Sequence, residues 1–449
     1  MKGIYLEQYS NAEKQSPHIT HSSNFSQFIA LQAQLLSILN IYNTIMAPID
    51  STLIPRDLPD NLKAVYRTLL DVKREDNGKP PVVIVITDLA KDYDDLLAMV
   101  LLKELHRLGL IELRGFVANL EPAAKRAGFG RGALDLLGLS SVPIAKGTRG
   151  FPEKDEDKHK LHDYEFDCSF IKEGEVKEEG RGLLYRLLSD ALDKKEEVIL
   201  LCLSSLRDIA EFSRNYPNLL RRALKKGKVV LQGGYSVVDR NLTVNKAANN
   251  DFDPTAATEF HKFLQEKKIQ SIVFDRNAAT NLKPPLPRTM FTDMARTGEI
   301  GQYLDNVAER QEYNFFSGAT GPRENRFGYK APTATDKGSE GHDWDRYKIR
   351  TRWPKDRPPA TFDELRPYTD IIAYDALAAA YLMGDKAADR LKIIETPRSE
   401  WPNTIHQVVG NGSELNSLDG TGDGMRIALE ALLRGSLLAV SQGLSSDPK

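Results

Sequence analysis

The sequence predicts an α/β protein with a doubly wound, mainly parallel sheet, an N-terminal helical extension and a helical, loop-rich insertion before its last acidic motif. Short runs of apolar and β-branched residues alternate with helical patterns between residues 81 and 276. The runs are largely apolar on both faces, which is typical of strands that helices cover on both sides of a sheet. Because crossover helices join parallel strands, the alternation indicates a parallel sheet.

The strands and the helices between them can be placed in order along the chain. Strands are predicted at Val82–Ile86, Ile111–Val117, Val142–Ala145, Val198–Leu203, Val229–Leu231 and Ile269–Phe274. The intervening helices are predicted at Asp95–Leu108, Ala123–Leu137, Leu183–Leu192, Leu206–Leu224 and Thr255–Glu266. A strand–helix pair at Thr369–Leu382 and a C-terminal helix at Met425–Val440 complete the pattern.

Two parts of the chain are predicted to differ in character. Residues 1–80 form an N-terminal helical extension, with helices at Ser26–Ile45 and Leu62–Val72, and residues 81–449 form the α/β domain. Within that domain, residues 277–367 are rich in Pro, Gly, aromatic and charged residues, which predicts a lid-like insertion. Its stretch Trp344–Trp353 mixes aromatic and basic side chains, so it either packs within the lid, which we favour, or stacks on a base.

Composition and charge exclude several classes of protein. The 449 residues include 61 Lys+Arg and 63 Asp+Glu, so a net charge of −2 gives no bulk attraction to nucleic acid or to an anionic membrane. Two cysteines, Cys168 and Cys202, cannot form a disulfide framework. The apolar stretch from Phe28 to Met46 is interrupted by polar residues and predicts an amphipathic helix, not a membrane span. With no secretory signal at the start, we expect a cytoplasmic protein.

An acidic cluster follows the first predicted strand. Asp88, Asp92, Asp94 and Asp95 lie within eight residues at the carboxyl end of that strand, where doubly wound folds bind ligands. Carboxylates this close repel one another unless a cation neutralises them, and oxygen ligands suit calcium or magnesium. The alternative is that Asp94 caps the following helix and the other carboxylates are solvated.

Two later segments supply further candidate ligands. Asp375 begins a helix after a strand-like run, which repeats the order of strand, acid and helix seen at the first cluster. Asn249 and Asn250 stand beside acidic residues in a loop, and Asn241 precedes them. Amide side chains both donate and accept hydrogen bonds, so they can bind vicinal hydroxyls. Helix capping for Asp375 and turn formation for the amides are the alternatives.

Four segments occur in an order that a known family shares. They are residues 87–95 (TDLAKDYDD), 203–208 (LSSLRD), 249–257 (NNDFDPTAA) and 374–376 (YDA), with QGG at 232–234. In this order they resemble the nucleoside hydrolase superfamily, the calcium-dependent N-ribohydrolases of purine and pyrimidine salvage that include inosine-uridine preferring enzymes. The first loop is two residues longer than the usual pattern, and the run 125–133 is similar to that of nucleoside-hydrolase-like type III effectors of plant pathogens.

The resemblance implies a role for each matching residue. Calcium (Ca2+) would be bound by the side chains of Asp88, Asp95 and Asp375 and by the backbone carbonyl of Leu203. The ribose of a substrate would be held by Asp94, Asn241, Asn249 and Asn250. As catalytic residues, Asp88 would activate the attacking water, and Tyr374 stands where many relatives carry a His that protonates the leaving base.

The function implied by the resemblance is calcium-dependent hydrolysis of N-glycosidic bonds in nucleosides or related ribosyl compounds. Because Tyr374 replaces a His and Ala247 replaces a residue that helps to hold the ribose, the alternative is a catalytically weak or inactive nucleoside- or ADP-ribose-binding protein of the same fold. A magnesium-dependent phosphatase shares the carboxylates but does not explain residues 249–257. We expect a small-molecule ribosyl ligand, no nucleic-acid or membrane partner and, as in relatives, a homo-oligomer.

Overall fold

A seven-stranded parallel sheet forms the centre of the protein in a computed structural model. The structure describes residues 50–76, 78–153, 155, 161–238, 241–280, 282, 285–321, 342–348, 351–394, 405–410 and 422–444. All of them belong to one compact unit that spans Ile49–Lys449. The predicted helix at Ser26–Ile45 lies outside the described residues.

The sheet orders its strands β11-β8-β5-β4-β1-β2-β3. Its members are β1 (Val82–Thr87), β2 (Glu112–Ala118), β3 (Ile144–Lys146), β4 (Val198–Cys202), β5 (Lys228–Gln232), β8 (Ser271–Phe274) and β11 (His406–Val409). Two small antiparallel pairs lie apart from it: β6 (Tyr235–Val238) with β7 (Asn241–Val244), and β9 (Leu286–Pro287) with β10 (Asp370–Ile371). The predicted doubly wound parallel α/β class is therefore confirmed.

Helices connect the strands and cover the sheet. They are α1 (Asp60–Glu75), α2 (Tyr93–Arg107), α3 (Ala123–Leu136), α4 (Gly180–Asp193), α5 (Arg207–Asn215), α6 (Pro217–Ala223), α7 (Ala248–Phe252), α8 (Pro254–Lys267), α9 (Arg276–Thr280), α10 (Thr289–Met294), α11 (Glu299–Thr320), α12 (His342–Lys348), α13 (Phe362–Leu365), α14 (Tyr374–Ala380), α15 (Asp385–Arg390) and α16 (Asp423–Ser441). Short 3₁₀ turns lie at Ser51–Leu53, Arg366–Tyr368 and Tyr381–Met383. None of the helices in this described part of the chain combines the length and apolar character needed to cross a bilayer.

The six strands predicted between residues 81 and 276 are all in the central sheet, but three details differ from the sequence-based expectation. The predicted helix Leu206–Leu224 is two helices, because Pro217 begins a new helix after Tyr216. The strand-like run predicted at 370–373 is only β10, and it pairs with β9 and not with the central sheet. The edge strand β11 and the hairpin β6–β7 were not predicted.

Each face of the sheet has its own apolar core, as a doubly wound sheet requires. Along β1, Val83 and Val85 belong to one core, while Val82, Ile84 and Ile86 belong to the other. Successive side chains of a strand point to opposite faces, so one fully apolar strand contributes to both cores. Helix α1 packs into the first core through Tyr66 and its neighbours. The division of the chain at residue 80 and the lid assignment for 277–367 stay predictions.

The aromatic residues of the insertion pack on one another. Trp344, Tyr347 and Trp353 are buried in a small apolar cluster with Phe316 and Phe362. The Trp344 indole lies edge-on to Tyr347, with ring centroids 6.0 Å apart. Packing within the insertion is thus what these rings do in the structure, and it leaves their faces covered and not open to a base.

A buried histidine on α8 makes folding sensitive to acid. His261 is 2% exposed, its ring lies 4.0 Å from that of Tyr235, and neither ring nitrogen has a hydrogen-bond partner among the described residues. Burial, reinforced by nearby His406, lowers the pKa of His261 to about 3. Below pH ~6.5 His261 is therefore protonated in the unfolded chain but stays neutral in the folded chain. The free energy of unfolding falls as the pH falls towards 3.

We expect His261→Phe to remove this acid sensitivity. Between pH 7 and pH 5 the wild type should lose about 2 kcal/mol of unfolding free energy through His261, because each pH unit below the unfolded-state pKa costs about 1.4 kcal/mol. Urea unfolding of both proteins at the two pH values measures the difference. Parallel losses in the wild type and the variant would contradict the assignment.

Candidate functional site

The candidate site lies at the carboxyl ends of neighbouring central strands. Asp88 follows β1, Leu203 follows β4, and Gln232 ends β5. Ile86 of β1 is in register with Cys202 of β4, so the residues that leave these two strands begin side by side. Helix α14 lies far along the sequence but packs on α2, and it places Asp375 next to Asp94 and Asp95.

Three buried carboxylates converge at this place. Single oxygen atoms of Asp94, Asp95 and Asp375 lie within 4.8 Å of one another. Asp95 Oδ1 accepts hydrogen bonds from the Thr87 hydroxyl and, at 3.1 Å, from the Asp88 backbone N–H. The Asp88 carboxylate does not join this set of three, but it is 1% exposed and its Oδ2 has no hydrogen-bond partner among the described residues.

Burial and mutual repulsion make these carboxylates reluctant to ionise. Burial, reinforced by the charges of Asp92 and Asp88, raises the pKa of Asp94 to about 7. Burial and the neighbouring carboxylates also raise the pKa of Asp95 and of Asp375 well above the ordinary range. A positive charge that entered the cluster would offset the repulsion between the carboxylates and lower their pKa values.

One positive charge is already built into the acidic loop. The Lys91 ammonium lies 3.0 Å from Asp92 Oδ2 and 3.5 Å from Asp88 Oδ2. It also lies 5.7 Å from the centre of the Phe252 ring. The second oxygen of Asp92 accepts a 2.8 Å hydrogen bond from the Gln311 amide on α11. Asp92 therefore pairs with Lys91 and Gln311, outside the set of three carboxylates.

A second buried cation holds the backbone of the same loop. Arg126 on α3 is fully buried, and its guanidinium donates to the carbonyls of Leu89 at 2.9 Å and Leu120 at 3.1 Å. It also reaches the Glu165 carboxylate at 3.1 Å. The loop it supports contains Ala90, whose φ of 71° lies in the left-handed region that non-glycine residues rarely adopt. Arg126 thus fixes the loops that follow β1 and β2 relative to each other.

Asn249 lies on the other side of the site. Its amide nitrogen donates to the Leu203 carbonyl at 2.8 Å and to Gln232 Oε1 at 2.7 Å. With the amide nitrogen held by two protein oxygens, the amide oxygen is the part of this side chain that remains for a ligand contact. The Leu203 carbonyl, predicted to bind a cation, faces Asn249 in this structure.

Asn250 has a structural role beside it. Its amide oxygen accepts from the Tyr235 hydroxyl at 3.0 Å, and its amide nitrogen donates to the carbonyls of Gly234 at 2.8 Å and Asn245 at 2.9 Å. These bonds join the hairpin to α7, and the ligand contact assigned to Asn250 stays a prediction. Asn241 begins β7, and its side chain lies outside what the structure describes.

Tyr374 begins the helix that carries Asp375. It is half-buried and packs against the larger apolar core. Just before it, the Ile372 N–H donates to the Tyr93 hydroxyl at 3.1 Å, which fixes the start of α14 to the start of α2, the helix that carries Asp94 and Asp95. Tyr374 and Asp375 are therefore presented together, while the catalytic role of Tyr374 stays a prediction.

Two solved structures share this arrangement of strands and helices. The effector protein XOO4466 superposes with a TM-score of 0.67 at 19% identity, covering 85% of this chain and 99% of that chain. The type III effector protein XopQ, in a crystal complex with adenosine diphosphate ribose, gives a TM-score of 0.64 at 19% identity with the same coverage. The chain has the fold of these effectors. The resemblance to type III effectors predicted from the motifs is thus confirmed at the level of the fold.

Other comparisons add little to this. A purine-preferring ribonucleoside hydrolase from Gardnerella vaginalis is matched with a TM-score of 0.47 at 16% identity, over 79% of this chain and 99% of that chain. No protein-family model and no curated protein matches the sequence.

Several residues that shape the site were missed by sequence reasoning. Lys91 lies between Asp88 and Asp92 in the sequence, but the sequence does not indicate that its ammonium pairs with these two carboxylates. Arg126 belongs to the run that resembles the effectors, yet nothing local marks it as buried. Gln311 is 219 residues away from its partner Asp92 and carries no motif at all.

The donor atoms of the site fit a hard divalent cation. All are oxygens: three converging carboxylates, the buried Asp88 Oδ2, which accepts no hydrogen bond from the described residues, and the Leu203 carbonyl at the end of the adjacent strand β4. Calcium and magnesium prefer such ligands, whereas softer metals prefer nitrogen or sulfur. One lysine cannot balance four buried carboxylates, and the raised pKa values of Asp94, Asp95 and Asp375 show that the set favours protons over uncompensated negative charge. That the ion is Ca2+ stays a prediction.

Proposed function

We propose that this protein hydrolyses N-glycosidic bonds of nucleosides or related ribosyl compounds with the help of Ca2+. The observation that supports this most strongly is the convergence of Asp94, Asp95 and Asp375 at the carboxyl ends of the strands, where such folds bind ligands. Beside them lies the buried Asp88 Oδ2, which accepts no hydrogen bond from the described residues. XopQ, which shares the fold, was crystallised with adenosine diphosphate ribose, a ribosyl compound.

The proposed cation ligands are the side chains of Asp88, Asp95 and Asp375 and the Leu203 carbonyl. Asp94 would either join them or bind a ribose hydroxyl. A bound divalent cation would hold vicinal hydroxyls and lower the pKa of a water molecule. Because Asp88 Oδ2 is buried and has no hydrogen-bond donor among the described residues, its lone pairs can accept the proton of that water.

Other residues of the site would stabilise the sugar and the leaving group on the two sides of the bond that is cleaved. Breaking an N-ribosidic bond builds positive charge on the sugar, which the buried carboxylates stabilise electrostatically. The Asn249 amide oxygen is placed to accept from a ribose hydroxyl, since its amide nitrogen is held by Leu203 and Gln232. Tyr374 would donate a hydrogen bond to the leaving group, although a phenol with an ordinary pKa near 10 passes a proton less readily than a histidine.

A binding protein without turnover is the second candidate. Tyr374 favours it, because loss of an effective proton donor removes the ~10²- to 10⁴-fold that general acid catalysis contributes. In that case the same carboxylates and Asn249 would bind a nucleoside or an ADP-ribose-like ligand without cleaving it. A cytoplasmic location and a homo-oligomeric state are part of the proposal, and the family resemblance supports the second.

Release of free ribose from a panel of nucleosides and ADP-ribose tests the proposal. We expect release in the presence of Ca2+ and none with a chelator. In Asn249→Ala, ligand affinity should fall about tenfold, the cost of one hydrogen bond to a polar ligand, while Ca2+ affinity measured by calorimetry stays within about twofold. The exposed Asn245→Ala is the matched control.

The possible outcomes separate the two candidates. Absence of ribose release with ADP-ribose still bound would favour the binding protein. Equal losses of ligand and Ca2+ affinity in Asn249→Ala would contradict the role of Asn249 as a ribose contact. Absence of both Ca2+ and ligand binding in the wild type would overturn the proposed function.

A further inference from the structure

Lys91 places an ammonium group against the acidic site. Its Nζ lies 3.5 Å from Asp88 Oδ2, and the two side chains are 18% and 2% exposed. At that distance the charges attract, but the contact is too long to be a hydrogen bond, and Asp88 Oδ2 has no other partner among the described residues. The same oxygen is a proposed cation ligand, so the ammonium lies where a divalent cation would also be attracted.

The ammonium has a second, outer partner that is held in place. Asp92 Oδ2 lies 3.0 Å from Lys91 Nζ, and Asp92 Oδ1 accepts from Gln311 Nε2 at 2.8 Å. Gln311 belongs to α11, which anchors Asp92 from outside the loop. The flexible four-carbon stem of a lysine lets its ammonium move between two nearby carboxylates without a change in the backbone.

Charge decides which partner the ammonium prefers. Without a divalent cation, the Asp88 carboxylate is the group of the acidic site closest to Lys91, and its charge attracts the ammonium. With a divalent cation bound near Asp88, the ammonium would face a like charge only a few ångströms away, which is unfavourable in a partly buried site. Asp92, which already accepts a hydrogen bond from Lys91 at 3.0 Å, is then the partner that remains.

We propose that Lys91 is a tethered cation shared by Asp88 and Asp92 while no divalent cation is bound, and that cation binding ends its contact with Asp88 and leaves it paired with Asp92 alone. This inference rests on the cation site of the proposed function. According to this inference, Lys91 competes with the divalent cation for Asp88 and so sets the cation affinity of the site. Asp92 holds the Lys91 ammonium once the cation has bound.

Titration with CaCl2 in a calorimeter tests the inference. Lys91→Met keeps the apolar stem and removes the charge. We expect this variant to bind Ca2+ about tenfold more tightly than the wild type, within the range typical of coupling between two sites. Without Ca2+ its unfolding temperature should lie below that of the wild type, and saturating Ca2+ should close the gap. Lys63→Met, which removes a lysine paired with the exposed Asp60, is the matched control and should change neither value.

Asp92→Asn provides a second test that does not depend on the folding of Lys91→Met. Removal of the outer carboxylate should confine Lys91 to Asp88 and weaken Ca2+ binding several-fold, and adding Lys91→Met should cancel that loss. Equal Ca2+ affinities in the wild type, Lys91→Met and Asp92→Asn would overturn the inference while leaving the cation site intact. No heat of Ca2+ binding in any of these proteins would overturn the cation site itself and the inference with it.

Discussion

Asp95→Asn is expected to abolish the rise in unfolding temperature that Ca2+ confers, while leaving the cation-free protein at least as stable as the wild type. At a Ca2+ concentration of about one hundred times the dissociation constant, binding stabilises the wild type by about 2.7 kcal/mol, and this increment should disappear. Thermal unfolding with CaCl2 and with a chelator measures both effects. Asp60→Asn makes the same chemical change at a side chain that is 90% exposed and should behave as the wild type.

The opposite signs of the two effects follow from the surroundings of Asp95. Burial and the charges of Asp88 and Asp94 raise its pKa, so the folded protein retains a proton that the unfolded chain releases above about pH 4. Stability from this group is present at low pH and is lost as the pH rises. At pH 7 the Asn variant should therefore be at least as stable as the wild type when no cation is present. An Asn variant that still responds fully to Ca2+ would remove Asp95 from the site.

The acidic residues were predictable because their signal is local. Asp88 directly follows an apolar strand, and Asp94 and Asp95 begin the next helix, so sequence order already places them at the carboxyl edge of a parallel sheet. Asp375 shows the same local order of acid and helix, although β10 before it belongs to a different sheet. What sequence could not supply was the choice of carboxylates that meet: Asp94 takes the place in the converging set that was expected of Asp88.

The features that were missed depend on contacts between distant parts of the chain. Strand β11 is four residues long and begins with a histidine and a glutamine, and it is a strand because it pairs in register with β8. Gln311 reaches Asp92 only because α11 packs near the acidic loop. No periodicity or turn signal near these residues contains that information, since each depends on a partner more than 100 residues away.

Arg126→Met is expected to cost about 4 kcal/mol of unfolding free energy, the range for removing one partner of a buried ion pair. The substitution leaves the Glu165 carboxylate buried without its cation and leaves the carbonyls of Leu89 and Leu120 without a donor. Chemical denaturation measures the loss. Arg186→Met is the matched control: Arg186 pairs with Glu178 on the surface, is 55% exposed and should change stability by no more than about 0.5 kcal/mol.

The double variant Arg126→Met/Glu165→Gln separates the two contributions of Arg126. If the stranded charge of Glu165 dominates, neutralising it should restore about half of the lost stability or more. If the bonds to the loop carbonyls dominate, stability should recover little. In the second case both the single and the double variant should bind Ca2+ more weakly than the wild type, because the loop that carries Asp88 has lost its support from α3. A loss below about 1 kcal/mol in the single variant would contradict both, since it would mean that the loop holds its shape without the buried guanidinium.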